Sequence, residues 1–287
     1  MLPEARIDGW PSALASEADY ALVWMPPVEL LHALGQVKAI FNLGAGVDSM
    51  PDMSVLPRNV RLVRLEDAGM AEQMAEYVCH AVLRRYREFD AYAEQQRIAE
   101  WQQRPRLPKI EFTVGILGLG VLGIAVATAL AAFGFPLRAW SRTHKVLAGI
   151  ATSTGLAELD DFLAGARVLV CLLPLTSQTQ GLLDRARLSR LPRGAYLVNV
   201  SRGALIVDDD LLALLDNDQL AGATLDVFRD EPLPPEHRFW HHPRVTLTPH
   251  TSAVTLVEES ILQIAAKIRR LEAGLPITGV VGREHGY

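Results

Sequence analysis

From residue 111 onward, short apolar runs of β-forming residues, at 112–117, 136–140, 167–173, 195–200, 221–227 and 245–248, recur between helix-like segments. Strands that read as near-continuous apolar stretches are those covered on both faces. The intervening segments 123–133, 156–164 and 208–217 are long enough for right-handed crossovers. The pattern predicts an α/β fold built on a doubly wound parallel sheet.

Ahead of that block, 19–24, 38–43 and 60–65 form a second set of short strands with Gly- and Pro-containing connections, which predicts a smaller α/β unit. A long helical stretch, about 71–100, joins the two, and the Pro-containing segment 104–109 resets the chain. A last helix over 254–273 is followed by 14 residues, 274–287, too few for a further domain, so the tail must pack on something already built. The expected division is 1–99 as the first segment of the smaller domain, 100–263 as the large domain, and 264–287 as the C-terminal segment of the smaller one.

Composition narrows the function classes. Of 287 residues, 49% are hydrophobic and 21% charged, enough apolar material for more than one core. The formal charge is −5 with no run of Lys and Arg, which excludes the electrostatic footprint of a nucleic-acid or anionic-membrane binder. Cys79 and Cys171 lie in mainly apolar stretches and read as reduced buried thiols, so a cytoplasmic location is expected. Residues 1–10 lack the basic-then-apolar order of a signal peptide, and the longest apolar runs are too short to span a bilayer.

Gly118-Leu119-Gly120-Val121-Leu122-Gly123 follows the strand at 112–117 and opens an Ala-rich helix. In that frame the first glycine permits a tight turn, the second lets a pyrophosphate approach the backbone, and the third allows close helix-to-strand packing. Free N–H groups at the helix start complete a dinucleotide site. A tight structural turn is the plainer alternative. About 20 residues on, where an NAD-preferring site carries Asp or Glu, the chain reads Trp140-Ser141-Arg142-Thr143-His144-Lys145. Without a carboxylate and with two cations, Ser141, Arg142, Thr143 and Lys145 favour a 2′-phosphate, so NADPH is expected ahead of NADH. The alternative leaves Arg142 and Lys145 as ordinary solvated charges.

Arg202, Glu231 and His250 sit at strand ends or in nearby loops of the same domain, spaced by 29 and 19 residues, where an open parallel sheet lines its ligand crevice. With the glycine loop, these motifs resemble the D-isomer-specific 2-hydroxyacid dehydrogenase family over nearly the whole chain. Within it, Leu43-Gly44-Ala45-Gly46-Val47-Asp48, Leu65-Glu66-Asp67-Ala68-Gly69-Met70, Trp140-Ser141-Arg142 and Glu231-Pro232-Leu233-Pro234-Pro235-Glu236 look like the glyoxylate/hydroxypyruvate reductase A branch.

The resemblance implies NADPH-dependent reduction of a small 2-keto acid in a cleft between the two domains, and a homodimer. His250 would donate the proton, Glu231 would hold its other ring nitrogen, and Arg202 would grip the substrate carboxylate. Ala45 and Gly46 would offer backbone N–H groups to that carboxylate. Trp24 and Met70 would narrow the site, or simply belong to the core. Asp226 would meet the nicotinamide carboxamide, or bond its own turn. Thr179 would lie near the nicotinamide ribose. The rival reading is a regulatory protein that senses NAD(P)H without turnover.

The resemblance also implies a flavodoxin-like small domain whose first strand and helix this chain lacks. Residues 5–10 and 19–24 would then either pair directly or expose unpaired edges, weakening that domain, unless the start is placed too late. His237, His241 and His242 are interrupted by prolines and read as loop residues, with no metal expected. Asn199-Val200-Ser201-Arg202-Gly203 lacks the first glycine of a nucleophile elbow. Asp208, Asp209 and Asp210 read as a helix start, where acids complement the macrodipole.

Overall fold

The computed structural model describes residues 2–34, 36–48, 50, 55–56 and 58–282. The chain divides into two compact units, Met1–Met70 with Thr255–Tyr287, and Ala71–Val254.

The smaller unit is built on three parallel strands, β1 (Tyr20–Val23), β2 (Ala39–Asn42) and β3 (Arg61–Arg64), in the order β1-β2-β3. All four β2 residues are buried, as a central strand requires. Ile40 and Leu62 pack with Val23, Leu31 and Leu34 on one face, and Phe41 and Val63 pack with Leu65 and Ile264 on the other. Ile264 comes from the helix Val257–Glu272. The tail finds its expected support on β3, where Val280 bridges Val63 and the Val281 N–H donates to the Leu62 carbonyl at 2.9 Å. Residues 5–10 form no strand and are exposed, and β1 lies at a sheet edge with Leu22 exposed; of the two expected outcomes, the open edge is the one present.

The larger unit carries seven parallel strands: β4 (Val114–Leu117), β5 (Leu137–Ser141), β6 (Ala151–Thr154), β7 (Val168–Cys171), β8 (Ala195–Asn199), β9 (Leu220–Leu225) and β10 (Val245–Leu247). Their order is β10-β9-β8-β7-β4-β5-β6, the doubly wound arrangement, with its switch point between β4 and β7. Alternation along β4 sends Val114 and Ile116 to a core with Val78, Val82, Val126 and Leu130, and Leu117 to a core with Phe162, Leu169 and Leu197. Both cysteines are free and buried, and burial pushes the Cys171 thiol up to about 12. No helix among the described residues is long and apolar enough to cross a membrane.

Three local expectations are corrected. The single helix at 71–100 is two, Met70–Tyr86 and Phe89–Arg97, because Glu88 between them takes a left-handed conformation at φ 54°. The compact units divide at 70/71 and 254/255 rather than 99/100 and 263/264, because Met74, Val78, Ala81 and Val82 of the first of those helices are core residues of the larger unit. The polar strand β6 was not expected. Its Ala-Thr-Ser-Thr sequence buries nothing fully, and it forms by pairing with β5.

Candidate active site

The glycine loop leaves the carboxyl end of β4 at the switch point, and its three glycines differ in their surroundings. Gly118 has φ 117°, and a Cβ there would stand 2.8 Å from the Leu172 carbonyl oxygen. A Cβ on Gly123 would fall 2.0 Å from the Gly118 carbonyl oxygen, so this glycine lets the helix Val121–Ala132 close onto its own loop. Gly120 caps that helix at an ordinary φ of −74°, and a Cβ on it would meet nothing within 4 Å. Neither the packing nor the backbone conformation demands glycine there. The first intrahelical bond runs from Ile124 to Gly120 at 3.0 Å, so the N–H groups of Val121, Leu122 and Gly123 precede the hydrogen-bonded ladder. The residues present fit a pyrophosphate.

At the end of β5, Arg142 and Thr143 are exposed. Two contacts brace their loop: the Thr154 hydroxyl donates to the Arg142 carbonyl at 3.0 Å, and the buried Ser141 hydroxyl donates to the Thr143 carbonyl at 2.7 Å. Lys145 donates to the Leu119 carbonyl, tying this loop to the glycine loop.

The β8–β9–β10 end of the sheet carries the polar constellation. Asn199, fully buried at the last position of β8, donates to the Arg202 carbonyl at 3.0 Å and accepts from the Ser201 N–H at 3.3 Å, which fixes the turn that presents Arg202. The next residue, Gly203, lies so close to the loop after β9 that a Cβ would stand 1.9 Å from the Phe228 carbonyl carbon. That loop bends back to Glu231: its Oε1 accepts from the Phe228 N–H at 2.8 Å and its Oε2 faces His250 Nδ1 at 2.7 Å. The structure thus pairs Glu231 with His250 and backs the Arg202 turn against the Glu231 loop, with Nε2 of His250 as its remaining ring nitrogen. Glu231 and His250 stay partly open, at 35% and 44% side-chain exposure.

Asp226 is fully buried at the end of β9. Its carboxylate accepts from the Thr248 hydroxyl at 2.5 Å and from the Thr251 and Ser252 N–H groups at 2.8 Å each, contacts that bond the turn over 248–252. Thr179 is likewise engaged locally, donating to the Pro174 carbonyl at 2.7 Å and accepting from the Thr176 N–H at 2.8 Å. His237 pairs with Asp208 at 3.5 Å and His242 with Asp216 at 3.3 Å; among the described residues no group of three or more His, Cys, Asp or Glu could hold a metal ion. Asp208, Asp209 and Asp210 form the first turn of the helix Asp208–Asp216.

In the smaller unit, Ala45 and Gly46 follow β2 in a turn organised by a residue the sequence did not single out. Asn42, fully buried, donates from its one amide nitrogen to the carbonyls of Gly44 at 3.1 Å and Gly46 at 2.7 Å. Trp24, 59% exposed, lies against Gly44, where a Cβ would stand 2.4 Å from its ring. Met70, 5% exposed, is a core residue.

The chain is similar in sequence and fold to known proteins. Residues 79–252 match the family model described as D-isomer specific 2-hydroxyacid dehydrogenase, NAD binding domain. A D-isomer specific 2-hydroxyacid dehydrogenase from Xanthobacter autotrophicus Py2, solved with NADPH and MES, is 41% identical with a TM-score of 0.91, over 95% of this chain and 86% of that one. The NADPH-dependent glyoxylate/hydroxypyruvate reductase of Sinorhizobium meliloti, solved with NADP and sulfate, is 39% identical with a TM-score of 0.89, over 94% and 86%. A D-isomer specific 2-hydroxyacid dehydrogenase family protein from Klebsiella pneumoniae 342 is 39% identical with a TM-score of 0.87, over 94% and 87%. The glycine loop, the paired Glu231 and His250 and these similarities lead to one conclusion: the chain belongs to the D-isomer specific 2-hydroxyacid dehydrogenase family.

Proposed function

We propose that the protein reduces small 2-keto acids, glyoxylate and hydroxypyruvate, to the 2-hydroxy acids, with NADPH preferred over NADH. The observation that carries this reading is the 2.7 Å pair of Glu231 and His250 at the carboxyl ends of a sheet whose glycine loop has room for a pyrophosphate. The Sinorhizobium meliloti reductase, 39% identical, supports the substrate class.

When bound, the dihydronicotinamide supplies the hydride for the keto carbon. Arg202 grips the substrate carboxylate, because its planar fork matches two carboxylate oxygens, and it polarises the adjacent carbonyl. His250 gives its Nε2 proton to the carbonyl oxygen as that oxygen becomes a hydroxyl. Glu231 holds Nδ1, fixing the tautomer and the ring plane, and its own position is set by the Phe228 N–H. In the smaller unit, Ala45 and Gly46, in the turn that Asn42 shapes, are N–H donors suited to a carboxylate. Trp24 confines the substrate. The N–H groups of Val121, Leu122 and Gly123 hold the pyrophosphate, and Arg142 with Thr143 takes the 2′-phosphate, on a loop braced by Lys145.

A homodimer formed through the larger unit is part of this reading, supported by Phe89, Ile98, Trp101 and Ile110, apolar residues left exposed along 89–110. Light scattering giving twice the chain mass is expected, and a monomer would end that part. The test of function is a panel of 2-keto acids with each nicotinamide cofactor. Turnover of glyoxylate and hydroxypyruvate, faster with NADPH, is expected; NADPH binding without turnover on any keto acid would overturn the reading and favour a sensor.

A further inference from the structure

His250 sits at φ 54°, a backbone conformation that a residue with a Cβ adopts only when its surroundings impose it. Asp226 imposes it. Its carbonyl accepts from the His250 N–H at 2.8 Å, and its carboxylate takes the Thr248 hydroxyl on one side of the histidine and the Thr251 and Ser252 N–H groups on the other. The Thr248 hydroxyl lies 2.5 Å from Asp226 Oδ1 and 2.5 Å from the Tyr77 hydroxyl. A threonine hydroxyl has one hydrogen, and here it goes to the carboxylate, so Tyr77 is the donor to Thr248. Burial raises the Tyr77 phenol, against the opposing effect of the Thr248 bond and with a smaller push from Asp226. One turn earlier on the same helix, Gln73 donates to the Val254 carbonyl at 2.8 Å and accepts from the Val254 N–H at 3.3 Å. Residues four apart on one helix therefore grip the two ends of segment 248–254.

We propose that Tyr77 is a positioning residue for His250: its phenol locks the Thr248 hydroxyl onto Asp226, and Asp226 holds the strained turn that aims the imidazole. The proposal rests on the reading of His250 as proton donor. It extends the site to the helix Met70–Tyr86, none of whose residues carries a proposed role in the proton or hydride transfer.

The test is a double-mutant cycle on NADPH oxidation by hydroxypyruvate, with Tyr77→Phe, His250→Gln and the pair together. Tyr77→Phe keeps the ring in its core and removes only the hydroxyl. We expect kcat to fall about tenfold, the loss of roughly 1.4 kcal/mol of placement, with the KM for keto acid, NADPH affinity and Tm unchanged. In the His250→Gln background the same change should have no further effect, because its route to the chemistry is gone. Thr248→Val should reproduce the loss and be non-additive with Tyr77→Phe. Wild-type kcat in Tyr77→Phe, or an equal loss with and without His250, would overturn the proposal. Wild-type kcat in His250→Gln alone would overturn the proton-donor reading itself, whatever Tyr77 does.

Discussion

Gly203→Ala probes how rigidly the Arg202 turn backs the Glu231 loop. A Cβ at 203 would stand 1.9 Å from the Phe228 carbonyl carbon and 2.3 Å from both Phe228 Cα and Arg229 N. Ordinary contact begins at 3.4 Å, so against 1.9 Å the backbone must retreat by about 1.5 Å. Every one of the three atoms is main chain, and no side chain can swing aside to absorb the change. The retreating residue is the one whose N–H holds Glu231 Oε1, and Glu231 reaches His250 across only 2.7 Å. A displacement of that size takes the carboxylate out of hydrogen-bond range, and about 1 Å of misplacement costs on the order of 100-fold in rate. Overpacking of this kind costs about 1–3 kcal/mol, which lowers Tm by roughly 2–12 °C in a unit of this size. The assay is keto-acid-dependent NADPH oxidation well below the melting temperature, alongside thermal unfolding and NADPH titration. The expected result is a kcat reduced about 100-fold with NADPH affinity retained, since the glycine loop follows a different strand. A variant that melts lower yet turns over at the wild-type rate would refute the link between the two loops.

Gly120→Ala should leave the fold intact, because its φ of −74° is open to alanine and a Cβ there meets nothing within 4 Å. It should weaken NADPH binding about 10- to 100-fold, the loss of one charge-assisted hydrogen bond or more, measured by fluorescence titration. Arg142→Ala should lower the ratio of NADPH to NADH efficiency about 10- to 100-fold, and an unchanged ratio would remove the 2′-phosphate assignment. In the smaller unit, burial raises the Glu66 carboxyl, but the Thr278 hydroxyl and the Lys267 ammonium outweigh it and hold the group below the usual carboxylate range. A depressed carboxylate contributes stability above its unfolded pKa and loses it as pH falls through the folded value. Glu66→Gln should therefore flatten the acid side of the unfolding curve while matching a destabilised baseline at neutral pH.

Legibility in the sequence followed locality. The strands from β4 to β10, except β6, announce themselves because burial on both faces makes them apolar throughout, and the glycine loop is a local motif of six consecutive residues that follows one of them. Glu231 and His250 were visible as motif positions, while the 2.7 Å between them was not. What stayed hidden arises from contacts across sequence distance. Tyr77 meets Thr248 across 171 residues, and neither fits a periodic pattern that marks it as more than a packed or turn residue. Gly203 reads as the end of a turn until the Phe228 backbone is seen against it. Asn42 closes a short-range bond to Gly44 and Gly46, yet an asparagine at a strand end, two residues before a glycine, reads as an ordinary turn former. The helix break at Glu88 was missed for the opposite reason: nothing in a glutamate signals φ 54°. Polar β6 escaped because an edge strand need bury little, and its place is dictated by β5.

The proposed reaction turns on the imidazole at 250 delivering the proton during keto-acid reduction. Its most direct measurement is kcat for hydroxypyruvate reduction at saturating NADPH in the wild-type protein and in His250→Gln, with NADPH affinity measured on both. Turnover by the wild type, a kcat reduced about 100- to 10,000-fold in the variant and equal cofactor affinity are expected. A variant that reduces hydroxypyruvate as fast as the wild type would contradict it.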